Sequence, residues 1–250
     1  MKKLSRVEKK MRRRRCFFRF LLLILFMSSM IVFALNTKFF VIDNIKVLGN
    51  DKLSKDTIIS GSSINIGQNI FKINKKSGEE AIKKMSYIKE VKIKRKLPNK
   101  IIIEVTERKE IAQIKRISSM LLIDTEGYIL NIVDTESEKL PLFNGLNIDN
   151  INIGENIFLT EETEEKLEFI REGQNIFLLS KMKEIDMADN NNVNIVLIDG
   201  ISVAFGTLDN VKYKLNLLNE VLKDIEKNQI SCKMILMNKG DNPIIVVNEE

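Results

Sequence analysis

The sequence predicts an α+β protein in three successive parts: a single N-terminal transmembrane helix, a β-α-α-β-β unit, and a mostly β region carrying two helices. Three observations predict it. A strongly basic tail runs straight into nineteen almost wholly apolar residues, Phe17 to Leu35. Two strands with period-two alternation flank a Leu97-Pro98-Asn99 turn. The second half is a succession of short apolar-alternating runs broken by glycine-containing turns and interrupted by two helical patterns.

The basic tail is residues 1–16, with nine Lys and Arg against Glu8 alone, a net +8. The remaining 31 basic and 33 acidic residues leave the rest of the chain at −2, so the high pI belongs to the tail and no nucleic-acid partner is expected. Residues 17–35 reach about 28 Å as a helix, enough for a bilayer core. Arg19 falls in the first turn, where a long side chain can snorkel to headgroups. The run length, and a strand starting almost at once at Phe39, favour a retained anchor over a cleaved signal peptide whose cleavage positions would be Val32 and Ala34. Arg12, Arg13, Arg14 and Arg15 are then topology residues, held in the cytoplasm by the positive-inside rule, with everything after Leu35 outside. That separates Cys16 from Cys232 and rules out an intrachain bond between them.

In the next part, Phe39 to Leu48 reads as a strand closed by Gly49-Asn50, and Ser54 as the cap of a short helix carrying Ile58 and Ile59. Ser77-Gly78-Glu79-Glu80 has capping-box spacing, and Ala81, Ile82, Met85 and Ile88 follow at helical intervals. Val91 and Ile93 then alternate against Lys92, Lys94 and Lys96. Beyond the proline turn, Ile101, Ile103 and Val105 share one face, with Ile102, Glu104 and Thr106 on the other. This strand-helix-helix-strand-strand order, with Arg95-Lys96-Leu97-Pro98-Asn99-Lys100 leading into Ile101 to Arg108, resembles the POTRA domain of the FtsQ/DivIB family of bacterial cell-division proteins. Gly67-Gln68-Asn69-Ile70-Phe71 is similar to the family's segment between the two helices.

From Ile111 the pattern turns to strands: Ile111 to Arg116, then Met120 to Ile123 and Tyr128 to Val133 around an Asp124-Thr125-Glu126-Gly127 loop. That acidic loop lacks the further oxygen ligands calcium needs and reads as a turn. Thr160 precedes four glutamates at a helix start, where negative charge complements the dipole, with Leu167 and Ile170 on its buried side. Strands follow at Lys183 to Met187, Val193 to Ile198 and Ile201 to Phe205, the last two joined by Asp199-Gly200. Leu208 to Lys227 is an amphipathic helix. Cys232 to Met237 and Pro243 to Val247 close the chain, and the proline marks the last strand as an edge. Ile123 to Tyr128, Leu140 to Gly145 and Val203 to Gly206 resemble the same family's β domain. The expected boundaries are a POTRA domain at 39–108, a β domain at 109–237 and a C-terminal turn, edge strand and tail at 238–250.

Ile64 to Phe71 and Ile151 to Phe158 are identical at seven of eight positions, and Gly173 to Phe177 echoes them. The separations fit no fixed period, so this is one kind of turn into a buried element, used again. Histidine is absent, which removes the commonest general base, the usual hydrolase triads and His-containing zinc sites. No phosphate-binding glycine loop occurs. The chain is expected to be no enzyme and to take no cofactor and no small-molecule substrate.

The family resemblance implies a non-catalytic scaffold at the division septum that binds FtsL-type and DivIC/FtsB-type division proteins and helps organise the septal wall-synthesis complex. Strand addition at the C-terminal edge would use Pro243, Ile244, Ile245, Val246 and Val247. The exposed basic face of Lys92, Lys94 and Lys96 is a second docking candidate, weighed against a plain solvated strand face. The competing functions are a POTRA-type peptide-binding or translocation module not tied to division, and a cell-wall hydrolase.

Overall fold

The structure, a computed structural model, describes residues 6–146, 148, 152–158, 164–240 and 242–247. The chain divides into two compact units, one made of Met1–Lys83 with Glu90–Thr106 and the other of Lys84–Lys89 with Glu107–Glu250.

The first unit opens with helix α1, Arg6–Asn36, which runs unbroken from the basic tail into the apolar segment. Within its Arg14–Asn36 stretch the most apolar eighteen residues have a mean hydropathy of 2.4 and none of them is buried, which suits a single membrane pass. The expected strand from Phe39 is shorter than its apolar run. Lys38–Phe40 forms a 3-10 turn capped by Thr37, and strand β1 covers only Asn44–Leu48. Phe39 and Phe40 are taken up by an edge-to-face ring contact, with centroids 5.0 Å apart, instead of a ladder. Helix α2, Lys55–Gly61, starts where expected, with Ser54 Oγ accepting from Thr57 N at 3.1 Å.

Helix α3, Lys75–Lys83, starts earlier than the capping-box spacing implies. Asn74 supplies the cap, accepting from Ser77 N at 3.2 Å. Glu80, the glutamate that the spacing pairs with Ser77, lies inside the helix 3.9 Å from Lys76, and its neighbour Glu79 accepts from the backbone N–H of Ile93 at 2.7 Å. With asparagine capping the helix from position 74, Ser77 and Glu80 fall within its turns and have no open helix start to close. Strands β2, Ile88–Lys96, and β3, Lys100–Glu107, form the expected hairpin, and β1 joins β3 in parallel to give the order β1-β3-β2. The parallel pairing needs a crossover, which α2 and α3 provide. Val47, Ile58, Ile82, Ile93, Ile101 and Ile103 form the core between helices and sheet.

The second unit is built on one sheet of nine strands among the described residues. These are β4 Ala112–Lys115, β5 Met120–Ile123, β6 Ile129–Val133, β7 Leu142–Asn144, β8 Met182–Asp186, β9 Val193–Leu197, β10 Ser202–Gly206, β11 Cys232–Leu236 and β12 Ile244–Val247. Their spatial order is β12-β11-β10-β9-β8-β7-β4-β5-β6. Strand β7 was not expected, because three residues after a proline are too short for period-two alternation to register. It nonetheless occupies the middle of the sheet, parallel to both β4 and β8. The fully buried Gln113 secures the adjoining loop: its amide donates to Ser137 O and Leu140 O at 2.7 and 2.9 Å and accepts from Ser137 N at 2.9 Å.

Helices α4, Glu164–Asn175, and α5, Val211–Asn228, pack against this sheet through Leu167, Phe169 and Ile170 and through Leu215, Leu218 and Leu222. Thr160, Glu161 and Glu162 of the expected acidic helix start lie outside the described residues. At the centre, Phe169 meets Phe143 and Phe205 edge to face, with centroids at 6.4 and 5.3 Å. Such rings pack with better than simple area burial.

The two near-identical segments fold alike. In each, a glycine sits at positive φ, Gly67 at +93° and Gly154 at +90°. Gly67 N donates to Ile42 O while Gln68 O accepts from Ile42 N; Gly154 N donates to Ile129 O while Glu155 O accepts from Ile129 N. The asparagine then accepts from the phenylalanine N–H two residues on, at 2.9 Å for Asn69 and 2.8 Å for Asn156. The third echo is different, being the C-terminal turn of α4, with Phe177 at φ 58°.

Phe169→Ala should remove the shared ring of the second unit and lower stability by about 3–5 kcal/mol. Urea unfolding of the detergent-solubilised chain checks this: the midpoint should fall without a change of slope.

Candidate partner-docking edges

The C-terminal candidate residues lie on β12, the last strand of the nine-stranded sheet, whose outer side pairs with no strand among the described residues. The direction of each backbone group follows from its neighbours. Met237 N donates to Ala204 O at 2.9 Å, so Met237 faces β10, and by alternation so does Ile235. Met234 and Leu236 therefore face β12, where their partners are Val246 and Ile244. The N–H and C=O of Ile245 consequently point away from the sheet. The Ile245 side chain packs on the core, while Ile244, Val246 and Val247 are 47%, 37% and 52% exposed. Pro243, which has no donor to offer, precedes the strand. An extra residue in β11 between Cys232 and Met234 bulges the ladder.

The other candidate edge is treated differently. Lys92, Lys94 and Lys96 are all exposed on β2, and Lys94 Nζ lies 2.5 Å from Glu104 of β3. Around Ile93 the edge is covered from α3. Glu79 takes the N–H at 2.7 Å, and Lys75 Nζ donates to the C=O at 3.3 Å. Arg95 reaches Ile73 O at 2.8 Å. Side chains thus occupy ladder positions that an incoming strand would need. On α1, Arg12, Arg14 and Arg15 are exposed, and the Arg13 side chain is outside the described residues.

One polar cluster was not expected. Arg108 Nη1 contacts Asp124 Oδ2 at 2.5 Å and Glu126 Oε2 at 2.7 Å, and its guanidinium stacks 3.8 Å over the Tyr128 ring. Lys89 Nζ holds the other Glu126 oxygen at 2.8 Å. Asp124 is buried, and its second oxygen accepts from Glu126 N and Tyr128 N, both at 2.9 Å. Both Asp124 oxygens are therefore engaged inside the protein, and the acidic loop is a turn, as its residues imply. Burial opposes the Arg108 charge, yet the hydrogen bonds to Glu126 and Asp124 outweigh it and raise its pKa. The signals for this cluster were present separately, in the closing Glu-Arg of β3 and the Asp-x-Glu-Gly loop, but nothing in the linear pattern pairs them.

Among the described residues no group of three or more His, Cys, Asp or Glu is arranged to hold a metal. The Cys232 thiol is raised in pKa, chiefly by burial, and donates weakly to Met234 O.

Comparison with known proteins bears on what these edges are for. The FtsQ-type POTRA domain model matches residues 40–108, and the model of the cell division protein FtsQ/DivIB C-terminal region matches residues 112–236. The chain belongs to the FtsQ/DivIB family of cell division proteins. Among its relatives, DivIB of Clostridium botulinum (strain Hall) is 28% identical over 91% of this chain and 90% of that protein. DivIB of Clostridium acetobutylicum is 30% identical over 75% of each. The solved major extracytoplasmic domain of the trans isomer of DivIB from Geobacillus stearothermophilus is 16% identical, covers 49% of this chain and 98% of that one, and superposes with a TM-score of 0.32. This FtsQ/DivIB chain is a single-pass membrane protein of cell division, with a POTRA domain and a β-rich domain following its one N-terminal apolar helix.

The salt-bridged loop gives the family member an acid-sensitive element. Glu126 is held below its ordinary pKa of 4.5, first by Lys89 and then by Arg108. A carboxyl stabilised in its charged form adds stability above its unfolded pKa, and that stability is lost as pH falls through the lower folded value. Unfolding free energy should therefore decline below about pH 4.5. Glu126→Gln should flatten that limb in denaturant titrations across pH, and an unaltered limb would show that the loop's ion pairs contribute nothing.

Proposed function

We propose that this chain is a non-catalytic scaffold at the division septum, binding FtsL-type and DivIC/FtsB-type proteins and helping to organise septal wall synthesis. Arg12, Arg13, Arg14 and Arg15 keep the tail cytoplasmic, and the two domains act on the external side. Membership of the FtsQ/DivIB family supports the setting. The observation that carries the mode of action is the outward-facing backbone of Ile245 on an apolar, exposed edge strand. An extended partner segment added there would gain main-chain hydrogen bonds, with Ile244, Val246 and Val247 giving side-chain contact and register. The covered ladder positions at Ile93 favour β12 over β2 as the accepting edge.

A fluorescent protein joined ahead of Met1 should give a mid-cell band before constriction. A uniform membrane signal from a functional fusion would instead favour a peptide-binding module outside division. Ile245→Pro removes the outward donor and should abolish partner capture in a pull-down while the chain stays folded; Val246→Pro removes an inward donor and should loosen β12 itself. Capture retained by the folded Ile245→Pro chain would exclude strand addition there. With Lys94 paired to Glu104, Lys92, Lys94 and Lys96 are best taken as a solvated face. The double variant K92E/K94E should then keep septal recruitment, and its loss would restore this face as a docking surface.

A further inference from the structure

We propose that the first unit carries a membrane-seating rim, made of Phe39, Phe71 and the flanking Lys38 and Lys72, which sits in the lipid interface at the C-terminal end of α1. This rests on α1 spanning a membrane, and goes beyond the scaffold role to say what holds the first unit at the bilayer. Arg14–Asn36 is 23 residues long. As a helix that is about 34 Å, against a hydrocarbon core of about 30 Å. With Arg14, Arg15 and Arg19 at one interface, the helix end at Asn36 reaches the other.

Carbonyls in the last turn of such a helix have few donors near the hydrocarbon boundary. Phe33 O accepts from Thr37 N at 3.0 Å. Ala34 O and Leu35 O both accept from the side-chain amide of Asn69, at 2.9 and 3.2 Å. A residue more than thirty positions downstream therefore closes the end of the membrane helix. Its loop is fixed to the chain just after that helix: Gly67, Gln68 and Ile70 bond to Ile42 and Phe40 at 2.8 to 2.9 Å.

This geometry places three rings next to the helix end. Phe40 lies 5.0 Å from both Phe39 and Phe71, centroid to centroid. Phe39 is 61% and Phe71 39% exposed, and Lys38 and Lys72 beside them are exposed as well. The second copy of the loop is an internal control. It makes the same turn, but its Asn156 amide donates to Glu126 O and its Phe158 is buried. The turn does not require an exposed phenylalanine; the copy tied to the membrane helix has one. Aromatic rings at the lipid boundary, with lysine stems carrying ammonium groups to phosphates, match an interfacial lipid environment.

The chain contains no tryptophan, so Phe39→Trp and Phe71→Trp each give the full-length protein a single indole. Both variants are reconstituted in vesicles of phosphatidylcholine and phosphatidylglycerol, with and without brominated phosphatidylcholine. A blue-shifted emission lost on adding the brominated lipid is expected at both positions, with protection from acrylamide. If either indole keeps its emission with brominated lipid and is open to acrylamide, the rim faces water or a protein partner and the proposal is overturned. Flotation with the vesicles reports insertion of α1 separately, so failure of the membrane span is distinguished from failure of the seat, and an unchanged circular dichroism spectrum verifies the fold of each variant.

Discussion

A sheet that does not close into a barrel leaves a row of backbone donors and acceptors along each edge, and every such group needs water, a side chain or another strand. This constraint organises much of the molecule. At β2, Glu79 and Lys75 of α3 satisfy the N–H and C=O of Ile93. At the start of β6, the loop through Gly154 and Glu155 takes both ladder groups of Ile129, and the sister loop does the same for Ile42 ahead of β1. At β12 the outward groups of Ile245 meet no strand among the described residues, and exposed apolar side chains flank them. Edges covered from within and an edge left apolar and open are different physical states. Only the second suits the capture of another chain.

The reuse of one loop for two purposes follows from the same economy of backbone groups. Asn-x-Gly-x-Asn-Ile-Phe supplies a glycine for the left-handed position, an asparagine side chain that accepts from the chain two residues on, and a second amide group free to reach a neighbouring carbonyl. In one copy that neighbour is the acidic loop beside the Arg108 cluster; in the other it is the end of the membrane helix. The local structure is set by the motif, and its target by whatever the fold brings alongside.

Much of the fold was legible because alternation and helical spacing are local properties. The hairpin around Pro98, the strand at Met120 to Ile123, the Ser54 cap and the long α5 all follow from a few neighbouring side chains. Three elements were not. Phe39 and Phe40 look like strand residues but are recruited into a ring cluster with Phe71, beyond α2 in the chain. Ser77 and Glu80 look like a capping box, yet Asn74 caps the helix and starts it at Lys75. Strand β7 is too short to signal itself and exists because β4 and β8 need a strand between them. In the first and third of these a distant partner outcompeted a local preference, and in the second a stronger local cap did.

The sequence by itself determined the membrane helix and its basic flank, the order of the longer strands and helices, the family and the position of the last strand near the C-terminus. These depend on composition and period, which a linear chain carries in full. Only the tertiary structure decided which way the Ile245 backbone points, because that depends on counting alternation back through β11 to the bond between Met237 and Ala204. It alone joined Arg108 to Asp124, and Asn69 to the end of α1, since side-chain bonds between residues far apart in sequence form only once the backbone has folded back on itself.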